Sequence, residues 1–213
     1  MYIPRRYQVT DPDEIAAFLA ANDFAALVSF DGQRPIATHL LLALEQQEGG
    51  GLVLNGHMAR ANPQWRSFNP EQEVLAIFSG PHSYISPRWY NHVNVPTWNY
   101  MTAHVYGRAR VISDETEQRE LLRRLIDKHE AGSGAVPPYT LDSLPEDFLQ
   151  QQMKAIVAFQ IEVTQIEAAY KLSQNRDVES YDNVVRELYQ RADENSHAVA
   201  DEMRRGRERL FGR

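Results

Sequence analysis

The stretch Phe24-Ala25-Ala26-Leu27-Val28-Ser29-Phe30-Asp31-Gly32-Gln33-Arg34-Pro35-Ile36-Ala37-Thr38-His39-Leu40-Leu41-Leu42-Ala43-Leu44 decides the fold. Phe24 to Phe30 reads as a strand, Asp31-Gly32 as a turn, and Pro35 to Leu44 as a second strand. Gly49-Gly50-Gly51 ends the next loop, and Leu52 to Leu54 opens a third strand. Strands that follow one another through tight turns make a meander of hairpins, not a strand–helix–strand unit.

The pattern extends in both directions. Upstream, Thr10-Asp11-Pro12-Asp13-Glu14 offers a capping side chain, a first-turn proline and acids beside the positive end of a helix dipole. Ile15, Phe18 and Leu19 continue it at helical spacing to about Asn22. Downstream, Ala61 to Phe68 reads as a short helix, and Glu73 to Ser79 and Ser83 to Ser86 as two strands. Thr97 to Ile112 reads as one long strand, in which Gly107 marks a bulge or a close approach. Ser113-Asp114 then caps an amphipathic helix with Leu121, Leu122, Leu125 and Ile126 on one face.

Residues 131–145, rich in Gly, Ser and Pro, read as a loop, 145–154 as a short helix, and Ile156 to Tyr170 as the last strand. From Asp177 the chain turns to charged helix, Val178 to Arg191 and Ser196 to Arg209. The expectation is a mainly β, α+β chain of six or seven mostly antiparallel strands closing to a barrel.

Composition sets limits on function. The 213 residues suit one ordinary domain or one core with an annex, and 43% hydrophobic with 24% charged residues is a globular balance. With Cys 0, disulfides, Cys-ligated zinc, iron–sulfur clusters and thiol nucleophiles are excluded. Lys+Arg 22 against Asp+Glu 29 leaves −7, opposite in sign to a broad phosphate-gripping DNA binder. The start at Met1-Tyr2-Ile3-Pro4-Arg5-Arg6 has no apolar core of a signal peptide, and runs such as Leu40 to Leu44 are too short to span a bilayer. The expected location is cytoplasmic.

Three segments carry candidate chemistry. In Asn55-Gly56-His57-Met58-Ala59-Arg60-Ala61-Asn62-Pro63-Gln64-Trp65 a strand ends at Gly, passes a His and an Arg, and enters a helix. Backbone N–H groups at a helix start beside a guanidinium suit a phosphate. Spacing alone favours the blander reading, a loop with a surface Arg and a capping Asn. The second segment is Phe78 to Tyr106, which holds seven of the 21 aromatic residues around proline-fixed turns. It suits a wall for a planar ring, and equally a packed loop or a dimer contact. The third, Lys171-Leu172-Ser173-Gln174-Asn175-Arg176, groups two cations and two amides after the last strand, as an anion site or a solvated strand exit would. The histidines His39, His57, His82, His92 and His104 are too scattered for a metal motif. No Gly-x-Ser-x-Gly elbow is present.

Together these residues resemble a family. Met1-Tyr2-Ile3-Pro4, Thr38-His39-Leu40, Gly56-His57-x-Ala59-Arg60-Ala61-Asn62-Pro63-Gln64-Trp65, Gly80-Pro81-x-x-Tyr84-Ile85-Ser86-Pro87-x-Trp89-Tyr90, Val95-Pro96-Thr97-Trp98-Asn99-Tyr100 and Lys171 to Arg176 are similar to the PaiB family of bacterial FMN-binding, negative transcriptional regulators. The resemblance covers nearly the whole chain and is least distinctive after Arg176. It implies an antiparallel split β-barrel over residues 1–176 with a packed helical extension over 177–213, and a homodimer with FMN at the subunit interface. It implies Arg60 as a phosphate ligand with His57 and Asn62 beside it, Thr38 and His39 flanking the flavin, Trp98 and Asn99 at the ring, and Lys171, Gln174 and Asn175 closing the site.

Three functions stay open at this point. One is a regulator with FMN as bound ligand or sensor. Another is an FMN-dependent oxidoreductase, which bleaching of the flavin by NAD(P)H would separate from a sensor. A haem-binding split barrel is the third. The family name leaves a DNA partner open and the net charge opposes it. The one basic stretch, Arg204 to Arg213, reads first as a solvated helix face.

Overall fold

The hairpin that opened the reading is β2 (Phe24–Phe30) and β3 (Pro35–Gln46), antiparallel from Phe24↔Leu41 to Phe30↔Pro35. Its turn is held by Asp31 Oδ1, which accepts from the backbone N–H of Gln33 and of Arg34, each at 2.8 Å. Those two bonds hold the Asp31 carboxyl below the usual carboxylate range. Gly32 takes φ 94°, a left-handed value that a side chain would oppose. The computed structural model describes residues 1–131, 133–134 and 136–212; Gly132 and Ala135 of the expected loop and Arg213 of the basic stretch lie outside the described residues.

The other strands are β1 (Gln8–Val9), β4 (Leu52–Ala59), β5 (Glu73–Ile85), β6 (Thr97–Val111) and β7 (Ile156–Lys171). The helices are α1 (Pro12–Ala21), α2 (Glu115–Glu130), α3 (Glu146–Ala155), α4 (Val178–Tyr189) and α5 (Glu194–Phe211), with short 3₁₀ turns at Arg5–Tyr7, Pro63–Ser67, Pro87–Trp89 and Leu141–Ser143. The sheet order is β1-β7-β4-β3-β2-β5-β6, and β6 also pairs with β7. That last pairing closes six strands into a ring with β1 appended, an antiparallel split barrel. No helix among the described residues is long and apolar enough to cross a membrane.

The chain divides into two compact units, one of Met1–Phe18, Ser79–His104 and Glu167–Arg213, the other of Leu19–Phe78 and Val105–Ile166. The core of the latter is Leu27, Leu42, Leu54, Ala76, Phe78, Phe159 and Ile161, all fully buried. Each large apolar side chain buried this way contributes on the order of 1.5–3 kcal/mol. The former unit contains α4 and α5, whose charged sequence conceals a buried stripe of Tyr181, Val184, Leu188, Val199, Ala200 and Met203. Asp177 and Asp193 cap these helices by accepting from Ser180 N–H (2.9 Å) and Ser196 N–H (2.8 Å). Tyr181 donates its hydroxyl to Met203 O at 2.7 Å.

Two local expectations are corrected. The third strand does not end at Gly56 but runs through His57 to Ala59, because Leu42↔Gly56 and Gly56↔Phe159 keep it paired on both sides. The segments read as strands at Glu73 to Ser79 and Ser83 to Ser86 are one strand. Pro81 lies beyond Leu75, Ala76 and Ile77, the residues of β5 that pair with β2, so its missing N–H breaks no bond of that pairing.

The reading of Gly107 as a close approach is met literally: a Cβ there would lie 2.2 Å from Glu162 O on β7. Backbone cannot yield as a side-chain tip can. Gly107→Ala is therefore expected to lower stability by at least ~2 kcal/mol. Gly206, inside α5 with nothing within 4 Å of its would-be Cβ, should gain roughly 0.5–1 kcal/mol when changed to Ala. Urea denaturation of the two variants checks this, and equal or same-sign shifts would refute the close-approach account.

Candidate functional site

Arg60 follows directly on β4, and its surroundings are set by the register of β4 against β7. Ala59 pairs with Ile156, the first residue after α3, so the chain beyond Ala59 meets the C-terminal end of that helix. Arg60 N–H donates to Ala155 O (2.8 Å), Nε to Lys154 O (2.7 Å) and Nη2 to Ile156 O (2.6 Å). The guanidinium thus caps α3, a favourable place for a cation. Five N–H donors less these two leave three, and the side chain is exposed. Arg60 lines a cavity of ≈ 280 Å³ with Ser113, Gln118, Gln150 and Lys154, and with Glu115 as the acid among them.

This corrects the expected phosphate cradle of backbone amides. Pro63–Ser67 is a single 3₁₀ turn, the Asn62 N–H is taken by Ala59 O, and the Gln64 N–H by Asn62 Oδ1 at 3.0 Å. Asn62 also donates to Thr38 Oγ1 at 2.8 Å, so Asn62 and half-buried Thr38 latch the turn to β3. What remains for an anion is side chains. Lys154, Ser113 and Gln118 were missed in the sequence, since Lys154 lies 94 residues from Arg60 and the pairing of β4 with β7 joins them.

His57 sits on the same strand but faces different company. It lines an apolar cavity with Leu41, Leu125 and Met153, and its Nδ1 is buried with no hydrogen-bond partner among the described residues. Burial holds its imidazole below the ordinary histidine value. His39 is exposed and touches Phe24, ring centroids 6.1 Å apart. These two belong to an outer sheet face of unusual character. Residues directly opposite on antiparallel strands share a face. Phe24, Ala26, Val28 and Phe30 on β2 therefore stand beside Leu41, His39, Ala37 and Pro35 on β3, and beside Leu75 and Ile77 on β5. Nine of these ten are apolar, yet Phe24 is 65% and Phe30 48% exposed.

In the other unit Trp98 is exposed, stacked on His82 (5.8 Å) and edge-on to Tyr84 (6.2 Å). Asn99 next to it is fully buried, with Nδ2 donating to Ser173 Oγ at 3.0 Å and Oδ1 within 3.2 Å of the same hydroxyl. Its amide serves the fold's own bonding and is not on an open surface. Gln174 likewise braces the strand exit, accepting from Leu172 N–H (2.7 Å) and donating to Tyr170 O (2.5 Å) around Ser173 at φ 62°. Lys171 donates to Thr97 Oγ1 at 2.5 Å, and burial with nearby Arg176 lowers its pKa. Asn175 is exposed and accepts from Tyr7 OH at 3.4 Å. The expected residues thus fall into an Arg60–Asn62–Thr38 group, a separate His57 cavity, and an aromatic and amide group around Trp98 and Lys171.

The donor set at Arg60 fits a phosphomonoester: guanidinium, ammonium, hydroxyl and carboxamides converge on one small cavity. A strand ring of this order is a split barrel, and the family match below makes it a flavin-binding one. The solved structures agree on the fold. A flavocytochrome Anf3 from Azotobacter vinelandii superposes with a TM-score of 0.63 at 18% identity, covering 85% of this chain and 78% of that one. An FAD and heme binding protein from Mycobacterium smegmatis gives 0.59 at 15% identity, covering 78% and 73%. The family model described as "Putative FMN-binding domain" matches residues 1–165, so the chain belongs to that family. It is a PaiB-type FMN-binding protein, 40% identical over 203 residues to "Protease synthase and sporulation protein PAI 2" of Bacillus subtilis (95% of this chain, 96% of that protein). An uncharacterised protein of Emericella nidulans is 27% identical over 162 residues, 62% of this chain and 64% of that protein.

The histidines give a pH signature. His57 and His104 both bind protons less readily folded than unfolded, in each case chiefly through burial. Below the ordinary value of 6.5 the unfolded chain takes up protons that the folded one refuses, so stability is full above that value and falls with further acidification. Denaturation midpoints at pH 7.5 and 5.5 should show this loss, and His57→Asn should make it smaller. A loss of the same size in the variant would remove His57 from the account.

Proposed function

We propose that the protein is a homodimeric regulator of gene expression that uses FMN as a bound ligand, with the flavin phosphate held at Arg60 and Lys154. The observation that carries this reading is the Arg60 donor set, where three guanidinium donors remain besides the two that cap α3. Lys154 adds a second cation, and Ser113 with Gln118 adds neutral donors. FMN, when bound, supplies a redox-active ring. The chain's own contribution is to neutralise the phosphate and fix its position.

The homodimer rests on the outer face of β2, β3 and β5. A face with nine apolar side chains among ten, two of them half-exposed phenylalanines, is costly in water and is self-complementary in a two-fold pair. The regulatory role rests on the Bacillus subtilis relative, whose name ties it to protease synthesis and sporulation. Broad contact with DNA phosphates has little support. Arg205 pairs with Glu202 (2.8 Å), Arg207 with Asp182 (2.7 Å) and Arg209 with Glu14 (3.5 Å), so most of the basic stretch is internally neutralised.

Flavin fluorescence titration tests the phosphate site. Arg60→Ala is expected to weaken FMN by roughly ten- to a hundredfold, the worth of a charge-assisted pair. Because Arg60 also caps α3, Lys154→Ala is the cleaner variant: weaker FMN at unchanged thermal stability, and in cells derepression of the same transcripts as a gene deletion. FMN affinity unmoved in both variants would place the phosphate elsewhere. Light scattering tests the dimer. The wild type should have twice the chain mass and Phe24→Glu the single mass, and a wild-type monomer would sink the interface.

A further inference from the structure

Helix α2 carries two apolar stripes that part company. Leu121 and Leu125 pack with Ala43, Ile112 and Ala158 of the barrel. Ile126 instead packs, with Leu144, against Leu141, Leu149 and Met153 around the 3₁₀ turn and α3, and Leu122 packs against both clusters. Members of both clusters line one cavity of ≈ 440 Å³, floored by Leu41, His57 and Ile156. That volume is within the range of small-molecule pockets, about 300–1,000 Å³.

Its chemistry differs from that of the Arg60 cavity, although Met153 lines both. Among the described residues no Lys or Arg lines it, and the one carboxylate there, Glu130, opposes an anion. A phosphate there would be desolvated without a counter-charge, which is prohibitive. The polar residues His129, Glu130, Tyr139 and Gln152 are exposed or half-buried, and His129 Nε2 is already engaged at 3.1 Å with Asp23. His57 is the exception: its Nδ1 is the one buried side-chain nitrogen or oxygen of the lining that has no partner among the described residues. Orphaned buried polar atoms are uncommon in native proteins and call for an explanation. A ligand hydroxyl or carbonyl supplies one. Burial keeps the imidazole neutral, so the floor offers a hydrogen bond without a charge.

We infer that this cavity is a second ligand site, distinct from the flavin's, that takes a neutral and largely apolar small molecule of two or three rings carrying one hydroxyl or carbonyl that meets His57. The occupant is defined by exclusion of charge, by volume and by a single polar contact.

The probe is 2-naphthol, neutral at pH 7, set against naphthalene-2-carboxylate, which has the same rings and a charge. Calorimetric titration of the FMN-saturated protein should show one saturable site for the naphthol and at least tenfold weaker binding of the carboxylate. Saturating FMN should leave the naphthol affinity unchanged, and the imidazole proton signals of His57 should move on titration of the wild type. His57→Phe should weaken the naphthol about two- to tenfold, and Ile126→Trp, which fills the cavity, should abolish it. Absence of saturable binding, equal binding of the carboxylate, displacement by FMN or an unmoved His57 signal each overturns the assignment. Displacement by FMN would leave flavin binding itself intact, so this inference and the flavin site fail separately.

Discussion

The backbone of β6 lies against Glu162 O of β7 so closely that position 107 has room for a hydrogen and nothing more. This contact is where the strand ring closes, and much of the site follows from it. Once β7 is fixed against β6, its other edge pairs with β4 in a single register, from Val53↔Glu162 to Ala59↔Ile156. A slip of one residue would turn Ala158 and Val157 to the wrong face, and the buried core of Phe159 and Ile161 forbids that. The excursion between β6 and β7, which contains α2 and α3, must then return to the chain at the end of β4. Arg60 is the next residue there, so the helix end and the guanidinium meet.

In the proposed site Arg60 has two tasks that the same geometry serves. Its Nε and Nη2 satisfy carbonyls at the end of α3, which fixes the plane of the guanidinium. A fork held in this way presents its remaining donors in a set direction, with less entropy left to lose when an anion arrives. A lysine at position 60 could carry the charge but not both tasks. That makes the pair Arg60 and Lys154 unequal: one organises the site and the other adds charge.

Legibility in the sequence followed the range of the interactions. The hairpin was readable because Asp31 and Gly32 act within three residues, and the cap Asp114 because it bonds an amide three residues on. Gly107 was readable as a close approach because a glycine in a long alternating strand has few other uses. Gly56 misled for a related reason. It looked like a strand end, yet it is needed within the strand, where a Cβ would lie 2.8 Å from Leu42 Cδ2. The Arg60 environment was legible only in the arginine itself, since Lys154 and Ser113 come from far along the chain. Asn99 had the right residue type for a ligand contact and the wrong burial. Its strand position, on the inward phase with Met101 and Ala103, was already encoded in the alternation.

The strand β2 shows why a correct strand boundary does not by itself disclose an interface. Ala25, Leu27 and Ser29 point inward and are buried, while Phe24, Ala26, Val28 and Phe30 point the other way. A strand apolar on both faces must be covered on both. Inside, the barrel covers it. Outside, no helix among the described residues covers Phe24 and Phe30. In the proposed dimer, two copies laid face to face about a two-fold axis meet that demand without any further element.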